Sequence, residues 1–121
     1  MLPQRLRLRR SADFASVIKR GRKVARPTLV LYAKMSGQPR FGLVVGKKVG
    51  GAVERNLVKR RLRHGAYDLI DETKPMDVVV RALNGAAESE NLRTDLTSAW
   101  NAAEKTIYAE PDAGQMRGER V

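Results

Sequence analysis

Lys47, Lys48, Arg55, Lys59, Arg60, Arg61 and Arg63 stand against Glu54 alone within residues 47–63. Crowding cations this closely costs stability through self-repulsion unless a polyanion neutralises them. Arginine at a fixed position grips a phosphate with a bidentate fork, and lysine acts on it as a point charge. Asn56 adds an amide that can reach a base edge, a 2′-hydroxyl or a backbone group. The chemistry on offer is recognition of a ribose-phosphate or deoxyribose-phosphate chain. A helix advances about 100° per residue, so one face recurs at i, i+3, i+4 and i+7. Val58, Leu62, Gly65 and Leu69 share one arc at that spacing, and Asn56, Lys59, Arg60, Arg63 and Tyr67 share another. One arc can bury, and the other presents cations beside an amide.

Side-chain catalysis is poorly supplied. The basic half holds two carboxylates, Asp13 and Glu54, with nothing to pair them, and His64 is the only histidine. A metal-dependent nuclease wants several acids or histidines converging on its cation. No catalytic residue and no protein-held metal is therefore expected. The glycines at 42 and 46, followed by Lys47-Lys48, imitate a phosphate loop. They stand one residue too close together, and Lys48 occupies the place of the Ser or Thr that meets magnesium. They read instead as backbone that lies close to RNA phosphates, flanked by Lys47 and Lys48.

The charge is lopsided. Residues 1–63 hold eighteen Lys or Arg and two acids, and residues 64–121 hold six and eleven. A polyanion-binding half joined to an ordinary half explains this better than a solubility device does. Nucleic acid is the leading partner, and no long apolar helical face favours a membrane surface. The 121 residues suit one domain, expected over 1–108, with a basic arm over 1–10 and a disordered tail over 109–121. The absence of cysteine excludes disulfides and suits a reducing compartment. With no signal peptide and no stretch near the roughly 20 apolar residues of a spanning helix, a cytoplasmic protein is expected.

The elements that must position these residues follow from periodicity. Ser11 opens a short helix, Asp13 complements its dipole, Phe14, Val17 and Ile18 share its apolar side, and Gly21 ends it. Arg26-Pro27 breaks the chain before a strand over 28–35. There Leu29, Leu31, Ala33 and Met35 are expected in the core, opposite Thr28, Val30, Tyr32 and Lys34. Residues 36–39 turn into a strand over 41–46, whose glycines leave one face flat. A helix over 53–71, a strand over 77–82, a turn at Asn84-Gly85 and a last helix follow. That last helix carries Leu92, Leu96, Ala99, Trp100, Ala103 and Ile107 on one side. This order makes a two-layer α/β sandwich, with helices covering an open sheet. Phe14 and Tyr32 either pack in the core or flank a groove between the first helix and the sheet, where aromatic rings stack on unpaired bases.

These residues resemble the protein component of bacterial ribonuclease P. The likeness rests on Lys47-Lys48-Val49-Gly50-Gly51-Ala52-Val53 leading into Arg55-Asn56-Leu57-Val58-Lys59-Arg60-Arg61-Leu62-Arg63. Arg5-Leu6-Arg7, Asp13-Phe14, Gly21 and Val30-Leu31-Tyr32 match in order, and the likeness spans roughly residues 3 to 107. It implies three helices and a mixed four-stranded sheet in αβββαβα order, with a left-handed strand–helix–strand crossover, as in the second domain of a ribosomal small-subunit protein. It implies a catalytic RNA partner that performs the cleavage with RNA-bound Mg2+, and precursor tRNA as the substrate that loses its 5′ leader. Lys47, Lys48, Arg55, Asn56, Lys59, Arg60 and Arg63 would contact RNA. Phe14, Ile18, Tyr32, Lys34, Lys59 and Arg63 would line a groove for the leader. Ile18 stands where many relatives place an aromatic, Leu57 where a basic residue is common, and His64 where Glu commonly follows. The rival readings are a ribosomal, rRNA-binding structural protein and a DNA-binding regulator. The second would want a dimer seam, which is not seen, so DNA is not expected as a partner.

Overall fold

A computed structural model describes residues 4–109. Residues 110–121 of the tail expected over 109–121 and the first three residues of the arm lie outside them. Helix α1 spans Ser11–Arg20, α2 spans Ala52–Ile70 and α3 spans Leu92–Ile107. The strands are β1 (Arg22–Ala25), β2 (Leu29–Met35), β3 (Arg40–Val44) and β4 (Met76–Ala82), ordered β1-β2-β4-β3. β1–β2 and β2–β4 are antiparallel, and β3–β4 is parallel, with α2 as the crossover between them. The expected mixed four-stranded sheet with three helices is present.

Periodicity did not locate β1. Three of its four residues are exposed, so it carries no readable alternation. The expected break at Arg26-Pro27 is the turn of the β1–β2 hairpin, closed by reciprocal backbone bonds between Arg26 and Leu29. The basic arm is also less free than expected. Leu8 donates its N–H to the Phe41 carbonyl at 2.9 Å, and Arg7 bridges Phe41 in parallel. Leu6 and Leu8 are buried, so residues 4–8 dock along β3 and cover its edge.

The two sheet faces bury different helices. Leu29, Leu31, Ala33, Val78, Val80 and Phe41 pack with Val58, Leu62, Leu69, Leu92, Leu96 and Trp100, which makes the principal core beneath α2 and α3. Trp100 stacks on Phe41 at 5.7 Å and donates its indole N–H to Thr73 Oγ1 at 3.0 Å, which satisfies its one polar atom. Gly65 lets the two helices approach: a Cβ there would sit 2.7 Å from Leu96 Cδ2. Met35, expected in the core, is 56% exposed, because β1 begins opposite Ala33 and leaves that side of Met35 without a strand neighbour.

On the opposite face, Val17 of α1 packs with Leu8, Tyr32 and Val79, flanked by Phe14, Ile18, Val30 and Val44. Phe14 can approach the sheet closely because residue 42 is glycine: a Cβ would stand 2.5 Å from Phe14 Cζ. Arg40 ties α1 to the sheet. Its guanidinium donates to Asp77 Oδ1 and Oδ2 at 3.0 and 2.9 Å and lies 3.6 Å from Asp13 Oδ2. The hydrogen bond to Asp77 raises its pKa above the ordinary guanidinium value, against the opposing effect of burial, with charge attraction to Asp77 and Asp13 adding to the rise. A raised pKa contributes stability until pH climbs through it, so this link stays charged throughout the neutral range.

Asp95 is the buried acid that holds α3 to the hairpin. It accepts the Thr28 N–H at 3.1 Å and the Thr28 hydroxyl at 2.7 Å through one oxygen. Asp95→Ala leaves two buried donors without an acceptor, which costs about 2–3 kcal/mol. Urea denaturation should show that loss with an unchanged slope. A loss below about half a kcal/mol would show that the pair is replaceable.

Candidate nucleic-acid interface

Two surfaces emerge from this frame. The first is the approach to α2 and its cationic side. Residues 47–49 form a single helical turn, closed by Gly50 N–H to Lys47 carbonyl at 3.2 Å, which leaves Lys47 and Lys48 exposed. Gly50 takes φ +152°, which L side chains rarely adopt, and a Cβ would meet Glu54 Cβ at 2.7 Å. Glycine is thus required where the chain swings into α2. On α2 the expected arcs hold. Val58, Leu62, Gly65 and Leu69 are buried, joined by Ala66 and Ile70. Asn56, Arg60 and Arg61 are exposed, Arg55, Lys59 and Arg63 are half-buried, and Tyr67 is 47% exposed. Helical spacing puts Arg55, Lys59 and Arg63 on the flank turned away from α3, which meets α2 at Gly65 and through Asp68–Arg93. Among the described residues, none of these α2 cations forms an ion pair with a carboxylate.

The second surface is a groove beside α1. Asp13 and Ser16 lie on one flank of the helix and reach Arg40 and Lys34; Ser16 Oγ accepts from Lys34 Nζ at 2.7 Å. Phe14 and Ile18 lie on the other flank at i and i+4. The strand register sets the floor beside them. Val30 of β2, Arg81 of β4 and Val44 of β3 pair in one row across the sheet on the α1 side. Val30 and Val44 are half-buried and Arg81 is exposed, so α1 leaves this row open. At its end lies a cleft of about 660 Å3 lined by Val44, Lys47, Lys48, Val49, Arg81 and Asn84, among others. The groove is apolar along its wall and cationic at its mouth.

The residues expected from sequence distribute unevenly over these surfaces. Phe14 and Ile18 form the groove wall. Tyr32 lies beneath, 7% exposed, so its ring is mainly core, with little face free to stack on a base. Lys34 lies on the far flank of α1, committed to Ser16. Lys59 and Arg63 belong to α2, and among the described residues no hydrogen bond or ion pair joins them to the groove. Arg81 was missed. Its guanidinium lies 6.0 Å from the Tyr32 ring centroid and offers a planar cation over the groove floor. The sequence signal was available: Arg81 is the one charge after the apolar run 78–80, and it is in phase with Val79 and opposite Val80. Among the described residues, no group of three or more His, Cys, Asp or Glu could hold a metal ion.

An α/β protein with a cationic helix, a basic helical turn and a mixed apolar and cationic groove is an RNA-binding protein in construction. The sequence profile of the ribonuclease P family matches residues 2–104. The chain is 48% identical over 101 residues to the ribonuclease P protein component of Rhodococcus opacus, covering 75% of this chain and 81% of that protein. It is 45% identical over 113 residues to the one from Streptomyces griseus, covering 82% and 92%. The RNase P protein from Staphylococcus aureus superposes with a TM-score of 0.74 at 28% identity, covering 86% of this chain and 93% of that one. The Thermotoga maritima protein gives 0.67 at 27%, covering 82% and 96%. The chain belongs to the ribonuclease P protein family, and so is a tRNA-processing subunit of an endoribonuclease with an RNA partner.

Gly42→Ala tests the groove wall directly. The new methyl and the Phe14 ring cannot share the space, and overpacking of this kind costs about 1–3 kcal/mol. Adding Phe14→Ala should recover part of that loss, a non-additivity readable by thermal melting of the two single variants and the double. Strict additivity would show that Phe14 does not rest on residue 42.

Proposed function

We propose that this chain holds the catalytic RNA of ribonuclease P through Lys47, Lys48 and the α2 cations, and holds the 5′ leader of precursor tRNA in the α1 groove. The RNA partner cuts the substrate, and the chain supplies fixed positive charge where two polyanions must meet. The observation that carries this is the pairing of two unlike surfaces. The α2 side presents a row of cations and an amide, with Tyr67 exposed on the same arc, which suits a phosphate backbone. The groove has Phe14, Ile18, Val30 and Val44 beside Arg81, which suits unstacked bases with their phosphates within reach. A ribosomal structural protein would need the first surface and not the second.

The residue roles follow. Lys47, Lys48, Arg55, Asn56, Arg60 and Arg63 contact RNA backbone, with Lys59 and Arg63 at the side nearest the substrate. Phe14 and Ile18 wall the leader, and Arg81 stacks on a base or neutralises a leader phosphate above Tyr32. Magnesium is assigned to the partner RNA, and no step is routed through a metal on this chain. A tRNA-processing role favours a cytoplasmic location, and the chain acts as one domain over 1–108; among the described residues no helix is long and apolar enough to cross a membrane.

The protein alone should leave precursor tRNA intact, and addition of the catalytic RNA should release the leader at reduced magnesium. Cleavage by the purified chain would end this division of labour. Arg81→Ala should weaken leader-bearing tRNA about 5- to 30-fold, the range of about 1–2 kcal/mol for a cation stacked or hydrogen-bonded to a charged partner. Mature tRNA should change little. Arg81→Lys should recover only part, since it keeps the charge and loses the plane. Equal losses on both tRNAs would count against the groove. Lys59→Ala with Arg63→Ala should follow the same leader-selective pattern if that side of α2 faces the substrate.

A further inference from the structure

The flank of α1 away from the groove carries a second cationic cleft that neither the motif helix nor the leader groove includes. Arg20 ends α1, Arg22 and Lys23 open β1, and Lys34 reaches from β2; with Ala33, Met35 and Ile107 they line a cleft of about 530 Å3. Register puts Lys23 beside Tyr32 and Arg22 beside Ala33, so the cations bracket both sides of the sheet edge. Gly21 makes the corner tight: a Cβ would lie 2.4 Å from the Val17 carbonyl and 2.8 Å from the Ala33 carbonyl. The α1 end is thereby pressed onto β2, and Arg20 is held near Arg22.

Two ordinary explanations fall short. Basic residues in a last turn complement the helix dipole, and charged side chains guard an edge strand against pairing. Each needs one or two charges. Here four cations line one cleft, with no carboxylate and no aromatic ring among the lining residues, and no described carboxylate forms an ion pair with any of them. Uncompensated charge at this density favours a polyanion. The lack of an aromatic ring separates this cleft from the groove: it has no ring to stack on a base, and its four cations match backbone phosphates.

We propose that the Arg20–Arg22–Lys23–Lys34 cleft docks a double-helical segment of the RNA partner, so that α1 is a partition between helical RNA on one flank and the unpaired leader on the other. This rests on the leader lying in the groove. The substrate's own stem continues directly from the leader at the groove, whereas this cleft is behind the helix. The RNA partner is therefore the occupant.

The test uses the full-length chain with Arg20→Ala, Arg22→Ala and Lys23→Ala combined, three exposed positions outside the groove and α2. Binding is titrated against salt with three probes: the catalytic RNA, a blunt RNA hairpin and a single-stranded oligonucleotide. Each cation that neutralises a duplex phosphate contributes about 0.9 to the slope of log affinity against log salt. The triple variant should lower the slope by about 2–3 for the catalytic RNA and the hairpin. It should leave the oligonucleotide, and leader-bearing against mature tRNA discrimination in the saturated holoenzyme, unchanged. An unchanged slope with the catalytic RNA and hairpin overturns the proposal, as does an equal loss on all three probes. A loss confined to tRNA binding assigns the cleft to the substrate stem and also overturns it. If Arg81→Ala fails to discriminate leader-bearing from mature tRNA while the triple variant lowers the duplex slope, the groove assignment fails and the duplex site stands.

Discussion

The packing of α1 across the open face of the sheet is the constraint from which both RNA surfaces follow. Val17 is fully buried against Tyr32 and Val79, a contribution of about 1.5–3 kcal/mol for one such side chain. That anchor alone would let the helix rotate. Arg40 fixes it from one side by spanning Asp13 and the buried Asp77, and Lys34 adds the Ser16 bond. With that flank pinned, Phe14 and Ile18 must face the row Val30–Arg81–Val44. A groove with a definite width results, rather than a loose helix over a flat sheet.

Charge is handled by segregation. Two of the described acids on the open face, Asp13 and Asp77, face Arg40. Asp13 and Asp77 serve one guanidinium, and Asp68 serves Arg93 at the rear of α2. The α2 cations keep their charge facing outward. Their repulsion is tolerable because α2 is held by apolar contacts on its other arc, which do not depend on ionic strength. The cost is recovered when phosphates replace the released counterions.

Polar atoms in the core tell the same story at smaller scale. Asp95, Thr28, Trp100 and Thr73 each find a partner, so the helices are positioned by directional bonds as well as by volume. Glycines act where two surfaces must nearly touch: residue 42 beneath Phe14 and residue 65 beneath Leu96. A groove built this way depends on small residues under large ones. Its shape is sensitive to one methyl group in the floor and insensitive to most changes on the exposed arc of α2.

Sequence alone determined the arcs of α2, the apolar faces of β2 and α3, and the cationic run from Lys47 to Arg63. These are local periodicities that a chain carries before it folds. Periodicity did not locate β1, three of whose four residues are exposed, although the family resemblance implied a fourth strand, nor did it show the docking of Leu6 and Leu8, which needs the β3 edge to exist. Sequence placed Tyr32 and Lys34 in a groove because side-chain type says nothing of what lies above a strand. Only the tertiary structure decided that Tyr32 is covered, that Lys34 turns to Ser16, and that Arg81 takes the open position. That decision comes from strand register and helix crossing, which bring together residues far apart in the chain and leave no mark in local spacing.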